Sequence, residues 1–230
     1  MGTANGNPRW DDIFAALEAW REQVLKEDKA AEDPSVTSLA WEYDRSPWAV
    51  LVSTILSLRT KDQVTLKTSR QVLERAPSPE SLLALSHDEL STLTYPAGFY
   101  RTKAKNLLEI AAILIRKYDG KVPPDMAALL ELPGVGRKTA NLVLTEAFDL
   151  PGICVDIHVH RICNRAGWIS AKDPDSTETS LRASLPKAYW KRINAILVLY
   201  GQRICRPVSP FCSRCAITDH CRRIGVGRAR

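Results

Sequence analysis

Four cysteines fall within 17 residues, at Cys205, Cys212, Cys215 and Cys221, separated by six, two and five residues. Four thiolates suit a metal centre. A disulfide framework is disfavoured in a chain of this length with an intracellular reading, and a reactive thiol pair does not need four members. Zinc accepts four thiolates, but structural zinc sites usually pair two short C-x-x-C knuckles, and only Cys212 and Cys215 form one. An iron–sulfur cubane needs one thiolate per iron and tolerates uneven loops, so the spacing favours [4Fe–4S] over zinc. Cys154 and Cys163 stand apart and read as small buried hydrophobes.

A second stretch, Leu132-Pro133-Gly134-Val135-Gly136-Arg137-Lys138-Thr139-Ala140-Asn141, carries a different chemistry. Gly134 and Gly136 free the backbone of a tight turn for positive φ, and N–H groups at the start of the helix that follows form a cradle for phosphate, flanked by Arg137 and Lys138. Lys138 falls in the first turn of that helix. There the positive end of the dipole and partial burial would both favour the free amine, a nucleophile. Eighteen residues on, Val155-Asp156-Ile157-His158 places Asp156 at the start of another helix. Capping is its ordinary role. A carboxylate held rigid by capping can also stabilise a positive charge developing on a sugar.

The elements that must position these residues are helices. Apolar residues recur at offsets of three and four: Ile13, Leu17, Trp20 and Val24; Trp48, Leu51, Val52 and Ile55; Ala104, Leu107, Leu108, Ala111 and Ile115. Ser46-Pro47 reads as an N-cap followed by proline at the first helical position, and Ser86 with Glu89 as a capping box. Pro77, the Pro96 to Gly98 turn, Asp119-Gly120, Pro123-Pro124, Pro133-Gly134, Pro151-Gly152 and Gly167 divide the chain into roughly ten helices. Pro124 to Leu132 is a short helix and Ala140, Val143, Leu144, Ala147 and Phe148 stripe the next, so Pro133 to Gly136 is a hairpin between helices. Ile153-Cys154-Val155 has no partner strand and reads as a buried connection. The fold class is all-α.

The 230 residues carry 32 Lys plus Arg against 26 Asp plus Glu. From Arg182 onward there are eleven basic residues and one acid, so the basic excess is C-terminal and points to a polyanion partner. The charged and apolar fractions, 25% and 45%, are those of a globular chain. The longest apolar candidate, Ala49 to Leu58, is interrupted by Ser53, Thr54 and Ser57, which excludes a membrane span. Met1 to Arg9 lacks the apolar core of a secretory signal, so the expected compartment is the cell interior, cytoplasm or nucleoid in a bacterium.

Together, LPGVGRKTAN with its lysine, the VDxH aspartate and the four-cysteine tail resemble the helix-hairpin-helix DNA glycosylases, most closely the endonuclease III family. The likeness runs from about Ser46 to Arg230. It implies a six-helix barrel domain at about 40–150, with the hairpin motif at about 124–148, and an iron–sulfur domain built from 1–39 and 151–230, with a DNA cleft between them. By the same resemblance Lys138 is the nucleophile and Asp156 its catalytic partner, and Cys205, Cys212, Cys215 and Cys221 hold a [4Fe–4S] cluster. A damaged pyrimidine would be flipped from duplex DNA, displaced by lysine attack on C1′, and the strand cut on the 3′ side by β-elimination. Gly134, Val135, Gly136, Arg137 and Arg206 would meet phosphates, and His158 is a pocket candidate. The partner would be double-stranded DNA with damaged pyrimidines or abasic sites, bound by a monomer, with no membrane.

Two positions depart from the family pattern. Arg59 stands where glutamine is common, in the loop that fills the gap left by the flipped base, and an arginine there can read an orphaned guanine through O6 and N7. Phe99 stands at the place of a smaller aliphatic wedge. A thymine mismatch glycosylase would typically carry tyrosine at position 138. An adenine mismatch enzyme would lack the lysine and extend further beyond the cysteines, whereas this chain ends nine residues after Cys221. The alternatives are an AP lyase with weak glycosylase activity and a non-catalytic iron–sulfur DNA-binding protein.

Overall fold

A computed structural model describes residues 8–28 and 33–230; the stretch Met1 to Asn7, part of the segment read against a secretory signal, lies outside the described residues. The described residues are helical and contain no strand. No helix among them is long and apolar enough to cross a membrane. The chain divides into two compact units, Pro34–Gly152 and a discontinuous one of Met1–Asp33 with Ile153–Arg230.

The continuous unit holds eight helices: α2 (Ser35–Glu42), α3 (Pro47–Ser57), α4 (Asp62–Arg75), α5 (Pro79–Leu83), α6 (His87–Thr94), α7 (Tyr100–Tyr118), α8 (Met126–Leu130) and α9 (Arg137–Phe148). Six have eight residues or more; α5 and α8 are single turns of five. The centre is α3, buried from Trp48 to Leu56 and surrounded by α2, α4, α7 and α9. A helix apolar all round belongs inside, and Ser53 and Thr54 are tolerated there because both hydroxyls donate to the Val50 carbonyl. Ser46 caps α3 with Pro47 at its first position, and Ser86 with Glu89 forms the capping box of α6. The core face of α7 is rotated from the sequence-based stripe: it runs through Lys103, Leu107, Ile110 and Leu114, leaving Leu108 and Ile115 half-buried.

The discontinuous unit contains α1 (Trp10–Glu27), α10 (Ile157–Ala166), α11 (Pro174–Ser184) and α12 (Ile193–Arg203), with 3-10 turns at Lys187–Tyr189, Cys212–Arg214 and Thr218–His220. Its core gathers Ile13, Phe14 and Leu17 of α1 with Val159, Ile162, Leu181, Ile193, Leu197 and Tyr200. Trp10 ties the two ends of this unit's sequence together. Its indole N–H donates to the Ser184 carbonyl at 2.8 Å and its ring meets Trp168 edge-on at 5.3 Å. Ile153, Cys154 and Val155 are a buried connection without strand pairing.

Candidate active site and cysteine centre

The hairpin forms as its residue types require. Asp125 caps α8 by accepting from Ala128 N at 2.8 Å, and the Val135 N–H closes the turn on the Leu132 carbonyl at 3.1 Å. Gly134 has φ +78°, and a Cβ there would lie 2.5 Å from Asn106 Nδ2 on α7. Both facts favour glycine. Gly136 differs from the sequence-based expectation: its φ of −99° and ψ of 179° are extended, because it is the N-cap of α9 rather than a left-handed turn residue. It lends no side chain to cap that helix, and a Cβ on it would meet nothing within 4 Å. The α9 cap thus brings no side-chain oxygen of its own, which suits an incoming anion.

Arg137 and Lys138 follow at the first two positions of α9, and both are exposed. The partial burial expected for Lys138 is not found. The packed side of the helix begins at Thr139 and continues through Thr145, and Lys138 lies outside it. Asp156, in the other unit, caps α10: one carboxylate oxygen accepts from His158 N at 2.8 Å and from Val159 N at 2.9 Å. His158 turns its Nδ1 toward Arg161, which donates from Nη2 at 3.1 Å, and a Cβ on Gly201 of α12 would lie 2.3 Å from that nitrogen. One edge of the ring is therefore committed to packing α10 on α12.

Cys205 follows α12, Cys212 opens the second 3-10 turn, and Cys215 and Cys221 end the second and third. Each sulfur but that of Cys212 sits beside a donor. Arg165 Nη1 donates to Cys205 Sγ at 3.3 Å, Tyr200 Oη to Cys215 Sγ at 3.1 Å, and Arg223 N to Cys221 Sγ at 3.4 Å. Tyr200 is fully buried; its oxygen also accepts from Ala216 N at 2.9 Å, so one phenol fixes two atoms of the cysteine segment. Burial raises the Cys215 and Cys221 thiols above their ordinary value, and the other cysteines of the set add to it. Among the described residues no three His, Cys, Asp or Glu side chains converge closely enough to hold a single metal ion. Cys163 is fully buried, and that burial drives its thiol well upward, as fits an inert core residue.

Arg206 is exposed and lies 5.2 Å over the Phe211 ring, which Arg214 and Arg230 also approach, at 5.7 and 4.2 Å. The basic C-terminal excess is thus partly gathered around one aromatic. In the continuous unit the structure brings Arg59 and Phe99 together, with the guanidinium 5.5 Å over the ring and Phe99 65% exposed. Sequence reasoning missed Lys103, which is 5% exposed and donates to Leu56 O, Leu58 O and Thr60 Oγ1 at 2.8, 2.6 and 2.8 Å. Its signal was a lysine in helical register with Leu107, Ile110 and Leu114.

The pattern of HhH-GPD superfamily base excision DNA repair proteins matches residues 52–187. Endonuclease III of Thermotoga maritima is 44% identical over 190 residues, covering 81% of this chain and 89% of its own. Endonuclease III homolog 2, chloroplastic, of Arabidopsis thaliana is 42% identical over 75% of this chain, which spans 47% of that longer protein. The solved structure of a trapped endonuclease III–DNA covalent intermediate in its estranged-adenine complex matches with a TM-score of 0.77 at 30% identity, over 97% of each chain. A glycine hairpin presenting an exposed lysine thus lies in an all-helical chain that resembles these relatives along most of its sequence: the chain belongs to the HhH-GPD superfamily and, within it, to the endonuclease III family of DNA glycosylase/AP lyases.

Proposed function

We propose that this chain excises oxidised pyrimidines from double-stranded DNA inside the cell, acting as a monomer, and then cuts the strand 3′ of the lesion. The observation that carries the reading is Lys138: an exposed amine in the first turn of α9, directly after a glycine N-cap that brings no side chain to the helix N-terminus, where a phosphate would bind. In this reading the N–H groups around Gly134 to Arg137 hold the backbone beside the lesion and the damaged nucleotide leaves the stack. Lys138 Nζ attacks C1′, the C1′–N bond breaks, and the base departs with its bonding pair. The nitrogen gives up a proton, the C1′–O4′ bond breaks with O4′ taking its pair and that proton, and the nitrogen lone pair closes on C1′ as a protonated Schiff base. Loss of a C2′ proton then expels the 3′ phosphate. Asp156, held rigid by its two cap hydrogen bonds, stabilises the positive charge that develops on the sugar. A trapped covalent complex of a similar endonuclease III with DNA supports a covalent route.

Arg59 and Phe99 are the pair that enters the duplex where the base has left, and Arg206 contacts backbone phosphate. Cys205, Cys212, Cys215 and Cys221 would hold a [4Fe–4S] cluster. Their uneven spacing, with a single C-x-x-C knuckle, suits the one thiolate per iron of a cubane better than one zinc ion. The donors from Arg165, Tyr200 and Arg223 suit anionic sulfur. When bound, the cluster ties the Cys205 to Cys221 segment together; every chemical step above belongs to side chains.

The test is borohydride trapping on two duplexes, one with thymine glycol and one with an abasic site, for wild type and Lys138→Ala. Trapping by wild type on both and by the variant on neither is expected. Trapping on the abasic duplex alone would leave a lyase with weak base removal, and none on either would leave a DNA-binding protein.

A further inference from the structure

Two residues in the continuous unit hold a left-handed backbone within one local structure: Arg59, with φ +53°, and Phe99, with φ +57°. Neither is glycine, and such conformations persist only where the surroundings over-determine them. Residues 58–60 and 98 are in backbone contact, since a Cβ on Gly98 would lie 2.4 Å from the Arg59 carbonyl oxygen, which the structure avoids by having none. The Gly98 N–H donates to Thr60 Oγ1 at 3.1 Å.

The over-determining group is the ammonium of Lys103. It reaches from α7 to Leu56 O in the last turn of α3, where carbonyls lack intrahelical partners, and to Leu58 O and Thr60 Oγ1 beyond it. Three acceptors match the three N–H groups of an ammonium. The cation also sits at the negative end of the α3 dipole. Thr60 Oγ1 is the joint: it accepts from both Lys103 Nζ and Gly98 N, and its own proton is directed to Leu58 O at 3.3 Å. Burial pushes Lys103 down to about 8, which still leaves it charged at neutral pH.

We propose that Lys103 is a positioning residue for base extrusion, latching residues 58–60 to the Gly98–Phe99 turn so that Arg59 and Phe99 meet the duplex as one preformed unit. This rests on the reading above that Arg59 and Phe99 enter the DNA. A pair already stacked at 5.5 Å, on a backbone that needs no rearrangement, loses less freedom on insertion. Lys103 itself touches no reacting atom.

The experiment compares wild type, Lys103→Met, Thr60→Val and the double variant Arg59→Ala/Phe99→Ala. Two readouts are taken: single-turnover release of thymine glycol with 2-aminopurine opposite the lesion, and β-elimination at an abasic site in single-stranded DNA, where nothing has to be extruded. Ångström-scale misplacement can cost about a hundredfold, so Lys103→Met is expected to slow duplex release and the 2-aminopurine rise roughly 10- to 100-fold, with single-strand cutting within about threefold. Thr60→Val, which keeps the lysine and removes the joint, is expected to show the same split between the two substrates. Adding Lys103→Met to the double variant is expected to change duplex release by less than about twofold, the non-additivity of groups acting as one. A double variant that extrudes and releases normally would remove the reading underneath. A defective double variant beside normal Lys103→Met and Thr60→Val, or equal losses on both substrates, would overturn the positioning role alone.

Discussion

Replacing Asp156 separates two jobs that one carboxylate performs. The ten-residue α10 begins with backbone N–H groups lacking helical partners, and a single oxygen of Asp156 takes two of them, at 2.8 and 2.9 Å. Asparagine keeps a carbonyl oxygen in the same place and loses the negative charge at the positive end of the helix, worth about 0.3–1 kcal/mol. Alanine loses the acceptor as well, for a total of about 1–2 kcal/mol. Because α10 carries Val159, Ile162, Cys163 and Ala166 into the core of its unit, fraying at its start reaches the melt. At about 2–4 °C per kcal/mol for a chain of this size, Asp156→Asn is expected to melt about 1–3 °C below wild type and Asp156→Ala about 3–6 °C below. Single-turnover strand cutting is expected to fall in both, by about 10²–10³-fold, since charge stabilisation is what asparagine cannot supply. Thermal melts and quench-flow on a thymine glycol duplex, where base loss precedes cutting, read the two effects apart. Equal melting of the two variants would refute the capping argument, and a wild-type rate in Asp156→Asn would refute the catalytic one.

Gly134→Ala is expected to lower stability by about 1–3 kcal/mol and to weaken duplex binding, because it meets both a positive φ and Asn106; Gly136→Ala, with extended backbone and open space, is expected within about 0.5 kcal/mol. Denaturant titration and fluorescence anisotropy on an abasic duplex check the contrast, and equal losses would contradict it. Lys103 gives a pH dependence with a definite sign. Its value of about 8 in the folded chain lies below the ordinary 10.5, so across that interval the unfolded chain binds more protons and wild-type stability rises with pH. The advantage of wild type over Lys103→Met should therefore widen from pH 8 to 10.5, and parallel curves would refute it. Tyr200→Phe removes the hydroxyl that donates to Cys215 and accepts from Ala216, and is expected to cost about 1–2 kcal/mol by chemical denaturation; an unchanged midpoint would refute this.

Features written in a few neighbouring residues were legible before the structure. Ser46 with Pro47, Ser86 with Glu89, and Asp156 are caps whose geometry depends on the next three residues, and all three cap as read. The hairpin between α8 and α9 was legible for the same reason. Gly134 and Gly136 look alike in sequence, yet only Gly134 takes a positive φ, because α7 brings Asn106 against it while Gly136 opens a helix. Whether a first-turn side chain is covered depends on what packs against the helix, so the exposure of Lys138 was not legible. Lys103 escaped notice because a lysine within an apolar stripe is ordinarily a solvated charge, and its acceptors lie 43 to 47 residues away in sequence. Cysteine spacing fixes order along the chain and leaves open how closely the sulfurs approach.

The central claim is that Lys138 forms the covalent bond to DNA. Its most direct measurement is to trap wild-type protein on an abasic duplex with borohydride, digest the adduct and locate the modified residue by tandem mass spectrometry. The reduced sugar is expected on the peptide that carries Lys138, and an adduct on any other lysine or on the N-terminal amine would contradict the assignment.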